Sequence, residues 1–311
     1  MPSKTNAPNR RGTNRPGAKG GRAARRRAAR GAPTRSSLGR FGPWLAVGMV
    51  LVVVAVFVIA KVASSPPAPA KAATPAPADV VKSVTAVPAS VLAAVGAGSV
   101  DNPPKALPAG AAPLTSAGQP LVVYMGAEYC PYCAAERWAM VQALSRFGSF
   151  SGLGTTESSA GDVYPSTPTF TFHGSTYRSP YLVFTPVETQ SNQADPSGGY
   201  KTLETPTALE SRLISTFDRS PYASTAGAIP FIDIGGRFIQ SGASYDPGAL
   251  QGLTLRQVAA QLSDPSSKAA QGVDGTANVL AAAICRATGG KPEAVCSSRA
   301  VTKAAAALGA G

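Results

Sequence analysis

Two cysteines separated by two residues, Cys130 and Cys133, are the part of this chain whose types and spacing best suit chemistry. Two thiols this close can form and break a disulfide reversibly. They precede a helix-patterned stretch, residues 134–147, and the positive end of a helix dipole stabilises a thiolate. We therefore expect Cys130 to be the nucleophile. Cys133 should then attack the mixed disulfide that Cys130 forms and release the substrate.

Other uses of these two thiols are open from the sequence. They could form a static disulfide, or provide two ligands to a metal. The chain has one histidine, His173, so a metal site is short of ligands, although copper delivery by two thiolates and this histidine is an alternative. Glu128 would oppose a nearby thiolate, and Arg137 would favour one. No phosphate-binding glycine motif opens a helix, so we expect no nucleotide or flavin cofactor. Because a metal site is short of ligands, we also expect no metal.

A second pair of cysteines, Cys285 and Cys296, lies near the end of the chain. Four cysteines allow three connectivities, and sequence proximity favours pairing Cys285 with Cys296 and Cys130 with Cys133. We expect the Cys285–Cys296 pair to be a structural disulfide. The alternative is a second redox pair that relays electrons to the first.

The charge is concentrated at the N-terminus. Residues 1–40 contain twelve of the 29 basic residues and no acidic residue, and the remaining basic residues nearly balance the 16 acidic ones. This composition predicts a disordered tail. A nucleic-acid-binding arm is the alternative. Because an apolar segment comes directly after the tail, we favour a membrane as its neighbour and expect no nucleic acid.

This uncharged apolar segment comprises residues 41–60. Twenty residues at about 1.5 Å each span a hydrocarbon core of about 30 Å. The segment therefore predicts a single transmembrane helix, and the positive-inside rule places the N-terminus in the cytoplasm and the rest of the chain outside. A cleaved signal peptide ending near Ala60 is the alternative.

The elements that must position the cysteines come after a Pro/Ala-rich linker, residues 61–78. We expect one extracytoplasmic domain over 79–299 and a disordered tail over 300–311. Its pattern is α/β: a buried strand at 121–125 and the helix bearing the cysteines come first. A long irregular insertion at 149–205 comes next. Capping-box patterns that begin at Thr207 and Thr254 open two further helices, and residues 229–240 between them read as a hairpin.

Three parts of this domain carry a family resemblance. They are residues 126–138 around Cys130 and Cys133, residues 228–236 around Pro230, and the segments 282–285 and 294–296 around the second cysteine pair. These stretches resemble the thioredoxin-like family catalogued as domain of unknown function 929. The resemblance covers most of residues 79–299 and implies a thioredoxin-like fold.

In that fold a cis-proline faces the dithiol across the active site. The resemblance assigns this place to Pro230, because a helix precedes it and a hairpin and a further helix come after it. Pro168, nearer the dithiol in sequence, is the rival. Trp138, in the helix after the dithiol, is expected to pack in the core.

These observations predict a membrane-anchored, extracytoplasmic thiol-disulfide oxidoreductase. Its expected partners are thiols or disulfides of exported proteins, a redox partner that restores the dithiol, and the membrane that holds the N-terminal helix. The alternative is a thioredoxin-like binding or scaffolding module in which the cysteines form static disulfides.

Overall fold

The computed structural model describes residues 72–309. The predicted basic tail, the predicted membrane helix at 41–60 and most of the predicted linker lie outside these residues. The strands are β1 Thr74–Pro75, β2 Lys105–Ala106, β3 Thr115–Ser116, β4 Gln119–Gly126, β5 Ser149–Ser151, β6 Gly154–Glu157, β7 Pro168–Thr171, β8 Thr176–Arg178, β9 Val183–Glu188, β10 Gln190–Ala194, β11 Tyr200–Thr202, β12 Phe231–Ile234 and β13 Phe238–Ser241.

Helices lie before, between and after these strands, which makes the described chain a mixed α/β protein. The helices are α1 Ala78–Thr85, α2 Ala89–Val95, α3 Pro131–Leu144, α4 Ala208–Phe217, α5 Leu255–Gln261, α6 Lys268–Ala287, α7 Glu293–Cys296 and α8 Arg299–Ala304, with 3-10 turns at Pro247–Leu250 and Ala305–Leu308. Over residues 72–309, no helix is by itself long and apolar enough to cross a membrane, whereas α1 and α2, bent by 61° at their junction, meet that criterion together.

The central sheet is built around β4. This strand pairs in antiparallel fashion with β12 and in parallel with β9, so that Leu121 lies opposite Val183 and Tyr124 opposite Ile232. β13 pairs with β12, β2 pairs with β13, and β3 pairs with the start of β4. The helix α3 connects β4 to the segment that leads to β9, and its N-terminus lies just beyond the end of β4.

Both faces of β4 are buried, which explains its continuous apolar sequence. Val122 and Tyr124 join the larger core that includes α3 and α6. Val123 and Met125 point to the other face and join a smaller core with Leu213 of α4. Side chains of a strand alternate between faces, so one short run supplies both cores.

Polar pairs join α3 to α6. Gln142 Nε2 donates to Asp274 Oδ1 at 2.7 Å, and Arg146 Nη1 donates to Asn278 Oδ1 at 2.8 Å. Gln142, Asp274 and Asn278 are buried and would be costly to bury without partners, whereas Arg146, just after the end of α3, is half-buried. Their pairing fixes the register of the two helices. Trp138 is fully buried in the same core, which confirms the prediction of core packing.

The sequence signals for local structure are confirmed at several places. Thr207 and Thr254 each cap a helix through a complete capping box, with Glu210 and Gln257 as the reciprocal partners. β12 and β13 form the predicted hairpin, and Gly235 and Gly236 adopt positive φ angles in its turn.

The predicted insertion at 149–205 requires correction, because β9 lies within it and belongs to the central sheet. Only the segments on either side of β9 form separate small sheets: β6 and β7 with β1, β5 with β8, and β10 with β11. β9 pairs with β4 alone and is therefore an edge strand. It tolerates Pro186 because the missing N–H of this proline is on the edge that pairs with no other strand. The many Ser, Thr, Gly and Pro residues of 149–200 made this region read as irregular.

Both predicted boundaries of the domain also require correction. The predicted tail at 300–311 contains α8 and a 3-10 turn, with Val301, Ala304 and Leu308 buried against the core. At the other end, Thr74 and Pro75 of the predicted linker pair with β6. Short apolar side chains, chiefly alanine, allow the C-terminal segment to pack closely despite its low complexity.

The helix that carries Cys285 is α6, Lys268–Ala287, which has 20 residues. It begins after Ser267, whose side chain caps it, and passes through Gly272 and Gly275. A Cβ atom at Gly275 would lie 2.5 Å from the carbonyl oxygen of Ala97. The glycine therefore allows a close contact with the chain after α2 and does not end the helix.

Candidate functional site

Cys130 is the residue that precedes α3 and caps it. Its backbone is extended, Pro131 occupies the first helical position, and its sulfur accepts a hydrogen bond from the backbone N–H of Cys133 at 3.3 Å. A helix N-terminus has unpaired N–H groups and a positive partial charge, and here they are directed at the sulfur. The local structure of the sequence Cys-Pro-Tyr-Cys thus stabilises negative charge on Cys130.

The two thiols have opposite acidities. The pKa of Cys130 is lowered, first by the hydrogen bond with the Cys133 side chain, then by the Cys133 N–H and the positive charge of Arg137. The pKa of Cys133 is raised well above its ordinary value, first because the thiol is fully buried. Cys130 retains 5 % of its surface exposed and Cys133 none. The geometry therefore places the more acidic and more accessible thiol at Cys130.

Gly126, the last residue of β4, lies beneath the dithiol. A Cβ atom at this position would lie 3.1 Å from Cys133 Sγ and 2.1 Å from the hydroxyl oxygen of Tyr124. The absence of a side chain lets the end of the strand, the tyrosine and the buried thiol approach one another closely. Any larger residue here would displace Cys133 or Tyr124.

A buried ion pair lies next to Cys133. Arg137, one helical turn after Cys133, donates from Nε and Nη2 to the carboxylate of Glu188 at 2.7 and 2.8 Å. Nη2 also donates to the carbonyl oxygen of Ala127 at 2.6 Å. Both side chains are fully buried. Arg137 therefore brings a fixed positive charge to the dithiol and ties the loop before Cys130 to the end of β9.

Glu128 is the second carboxylate in this region. It is buried, and its Oε1 atom has no hydrogen-bond partner among the described residues. Its backbone N–H donates to the carbonyl oxygen of Gln190 at 2.8 Å. The negative charge of Glu128 acts on Glu188, where it raises the pKa of that carboxyl, although burial is the larger cause.

Pro230 lies across the site from the dithiol. The peptide bond between Ile229 and Pro230 is cis, and Cys130 Sγ lies 3.7 Å from the carbonyl oxygen of Ile229. Pro168, the rival, is absent from the cis bonds of the described residues, and its carbonyl oxygen accepts a hydrogen bond from Trp138 Nε1 at 2.8 Å. The structure thus brings the predicted residues Cys130, Cys133 and Pro230 together, whereas Pro168 is half-buried at the start of β7.

Sequence reasoning missed a set of tyrosines around the dithiol. Tyr129 stacks on Tyr200 with ring centroids 4.2 Å apart, and Tyr132 meets Tyr164 edge to face at 5.9 Å. Tyr164 lies between β6 and β7, and Tyr200 begins β11. Tyr164 and Tyr200 are distant from the cysteines in sequence, so only their aromatic character was visible there.

The second cysteine pair lies elsewhere. Cys285 and Cys296 are joined by a disulfide. Ile284, beside Cys285, lines a small cavity with Met140 and Leu144 near the C-terminal end of α3. The dithiol is at the other end of this helix of 14 residues, roughly 20 Å away. Thiol exchange requires direct contact between sulfur atoms, so this arrangement suits a structural disulfide better than a relay.

No metal site is found in the described residues. They contain no group of three or more His, Cys, Asp or Glu residues that could hold an ion. His173, the third ligand required for copper delivery, hydrogen-bonds through Nδ1 to Glu204 Oε1 at 2.6 Å.

Comparison with known proteins identifies the family of this chain. No curated protein and no solved structure matches the sequence. One family does match: Domain of unknown function (DUF929), over residues 106–286. The match includes β4, the dithiol, Pro230 and Cys285, and it covers more than half of the 311 residues. The chain belongs to the DUF929 family.

Proposed function

We propose that this protein is a membrane-anchored thiol-disulfide oxidoreductase with a thioredoxin-like fold, acting on exported proteins outside the cytoplasm. The observation that carries the proposal is the asymmetry of the dithiol. Cys130 is at a helix N-terminus with a lowered pKa, whereas Cys133 is buried behind it with a raised pKa. This asymmetry is what an attacking thiol and a resolving thiol require.

The topology of the central sheet supports the thioredoxin-like fold. Four strands lie in the order β9, β4, β12, β13, with β9 parallel to β4 and the hairpin antiparallel to it. α3 comes after β4, α4 after β9, and α6 after the hairpin. The dithiol lies where β4 gives way to α3, and Pro230 immediately precedes β12.

The first step of the proposed reaction is attack by Cys130. Its thiolate forms a bond to one sulfur of a substrate disulfide, and the substrate S–S bond breaks. The second substrate sulfur leaves as a thiolate and takes a proton from water. The N-terminus of α3 and Arg137 stabilise the attacking anion.

The second step is resolution by Cys133. Its thiol loses a proton to water and attacks Cys130 Sγ, so that a Cys130–Cys133 bond forms and the mixed disulfide breaks. The first substrate sulfur is released as a thiolate. Two electrons have then passed from the dithiol to the substrate, and the reverse sequence would oxidise a substrate dithiol. A partner dithiol or disulfide restores the starting form.

The sequence supports the proposed location. Twelve basic residues precede an uncharged run at 41–60, and all four cysteines come after it. We expect the full chain to sediment with membranes, and Cys130 to react with a membrane-impermeant maleimide in intact cells. Reaction only after lysis would contradict the proposed topology.

The test of the proposed activity is a trapping experiment with the full chain. Cys133→Ser removes the resolving thiol, so we expect it to accumulate mixed disulfides between Cys130 and exported proteins. These adducts should disappear on reduction. The double variant Cys130→Ser/Cys133→Ser is the matched control and should form none. Equal adducts from both variants, or no adduct from either, would contradict the proposal.

The reduction potential of the dithiol distinguishes the proposed enzyme from a binding module with static disulfides. Exchange proteins have potentials of roughly −270 to −120 mV, whereas structural disulfides lie below about −300 mV. We expect a value within the first range, measured by equilibration with glutathione or dithiothreitol. A value well below about −300 mV would favour the binding module.

A further inference from the structure

The exposed apolar side chains of the described residues are concentrated at the dithiol. Over residues 72–309, the large hydrophobic side chains classed as exposed are Tyr132, with 40 % of its surface accessible, and Val163, with 61 %. Tyr132 lies between the two cysteines. Val163 precedes Tyr164, whose ring contacts the ring of Tyr132. The rings of Tyr132 and Tyr164 therefore form one surface, and Val163 is exposed next to Tyr164 in the chain. We call these three residues the aromatic rim.

The loop that carries Val163 and Tyr164, residues 158–167, is held at both sides of the site. The backbone N–H of Ser159 donates to the carbonyl oxygen of Tyr129 at 2.8 Å, one residue before Cys130. The hydroxyl of Tyr164 donates to Asp246 Oδ1 at 2.7 Å. Ser158 Oγ donates to the carbonyl oxygen of Tyr164 at 3.0 Å. The rim is thus preformed, and a ligand would not have to order it on binding.

The position of the aromatic rim next to Cys130 indicates which ligand it contacts. Any substrate of the dithiol must place a sulfur atom at Cys130, two residues from Tyr132. In an extended polypeptide successive residues are about 3.3 Å apart, so side chains one or two positions from the reacting cysteine are within reach of the rim. An exposed aromatic surface continuous with the nucleophile favours an apolar neighbour.

The charges around the aromatic rim further limit the substrate residues that it can bind. The loop 158–167 contains Asp162 and no basic residue. Beside Tyr164 a cleft of about 660 Å³ is lined by two carboxylates, Asp101 and Asp246, and one ammonium group, Lys268. The surroundings of the rim thus carry an excess of negative charge. Acidic residues next to the substrate cysteine would be repelled.

We infer that the aromatic rim binds an aromatic or large aliphatic side chain within two residues of the reacting cysteine of an extended, exported polypeptide, and disfavours acidic neighbours. This inference rests on the proposed oxidoreductase function and specifies its substrates. Segments of this kind are buried in folded proteins. The rim would therefore direct the dithiol to polypeptides that have not yet folded.

The experiment uses three peptides that differ in one residue. Each carries one cysteine as a mixed disulfide with glutathione, preceded by Trp, Ser or Glu, and the rate of reaction with the reduced full chain is measured. We expect the Trp peptide to react at least fivefold faster than the Ser peptide, and the Glu peptide more slowly than both. Glutathione is the leaving group in all three when Cys130 attacks the peptide sulfur, and the rate of each peptide with dithiothreitol corrects for differences in the reactivity of its own disulfide.

Variants of the loop 158–167 then test whether the aromatic rim causes the preference for the Trp peptide. Val163→Ser should lower the Trp-to-Ser ratio at least twofold, and Tyr164→Ser should lower it further. Ala160→Ser, an exposed substitution in the same loop, is the matched control and should leave the ratio unchanged.

The outcomes separate this inference from the proposed function. Equal rates for the three peptides, with rapid reaction of each, would contradict the proposed role of the aromatic rim but not the proposed oxidoreductase function. No reaction with any peptide or with glutathione disulfide would overturn both. A preference for Trp that persists in both rim variants would also contradict the proposed role of the aromatic rim.

Discussion

Arg137 and Glu188 form a buried ion pair one helical turn from Cys133, with N–O distances of 2.7 and 2.8 Å. The pair joins α3 to the end of β9. It also supplies a positive charge that acts on both thiols of the site. Stability and thiol acidity therefore depend on the same contact.

Replacing Arg137 with Gln should affect both properties. The variant leaves the Glu188 carboxylate buried without its cation, which typically costs about 3–5 kcal/mol. The pKa of Cys130 should rise, because the charge of Arg137 lowers it. Urea unfolding followed by circular dichroism measures the first effect, and the pH dependence of alkylation measures the second.

The double variant Arg137→Gln/Glu188→Gln separates the two effects. It removes both charges, so it should recover much of the lost stability. The higher pKa of Cys130 should persist. If the double variant restored the pKa of Cys130, the arginine charge would not be its cause.

The two thiols should differ in their reaction with iodoacetamide. In the reduced protein Cys130 should be alkylated first, with a midpoint below that of an ordinary exposed cysteine, because its pKa is lowered and the thiolate is the reactive species. Cys133 should resist alkylation in the folded protein, since it is buried and its pKa is raised. Peptide mass spectrometry over a pH series reports both sites. Faster modification of Cys133 would reverse the assigned roles.

Removing the second disulfide should change stability without changing redox behaviour. The sequence separation of Cys285 and Cys296 is 11, for which loop closure contributes about 3 kcal/mol. Cys285→Ala/Cys296→Ala should therefore lower the free energy of unfolding by about that amount. The reduction potential of Cys130 and Cys133 should be unchanged. A shift in that potential, or loss of turnover with a folded variant, would support an electron relay.

Stability should fall as pH rises through the neutral range. Burial raises the pKa of Glu136 from 4.5 to about 7. The native carboxyl thus holds a proton between these values while the unfolded one has lost it. The stabilisation that this difference in pKa provides is fully present below about pH 4.5 and is lost by about pH 7. For this group it amounts to at most about 3 kcal/mol. Asp274, with a pKa raised to about 7 by burial, acts in the same direction.

Glu136→Gln should weaken this pH dependence, because the amide keeps hydrogen bonding to Ser244 and cannot ionise. Urea unfolding at pH 5 and pH 8 gives the comparison. Glu293→Gln, at an exposed position, is the control and should leave the slope nearly unchanged. An unaltered slope in Glu136→Gln would mean that the carboxyl is ionised in the folded protein.

The sequence predicted the elements whose signals are local. Thr207 with Glu210 marks a helix start within four residues, and Gly235-Gly236 marks a hairpin turn between two apolar runs. The dithiol was recognised in the same way, from the spacing of the two cysteines and from Pro131, which suits the first position of the helix that Cys130 caps. Signals of this kind are read from spacing alone.

The groups that surround the dithiol could not be predicted because they arise from tertiary contacts. Glu188 lies 51 residues from Arg137, in a strand whose pairing depends on β4 and not on its own pattern. Tyr164, in the loop between β6 and β7, and Tyr200, at the start of β11, belong to no motif of their own. A parallel strand carries no turn signal that would announce its partner.

The C-terminal segment has a practical consequence for work with this protein. The carbonyl oxygen of Gly309 accepts hydrogen bonds from Arg286, and Leu308 is buried. A recombinant fragment ending at residue 299, where the sequence pattern places the domain boundary, would expose the apolar surface of α6 and favour aggregation. Fragments intended for crystallisation or assay should extend through Gly309.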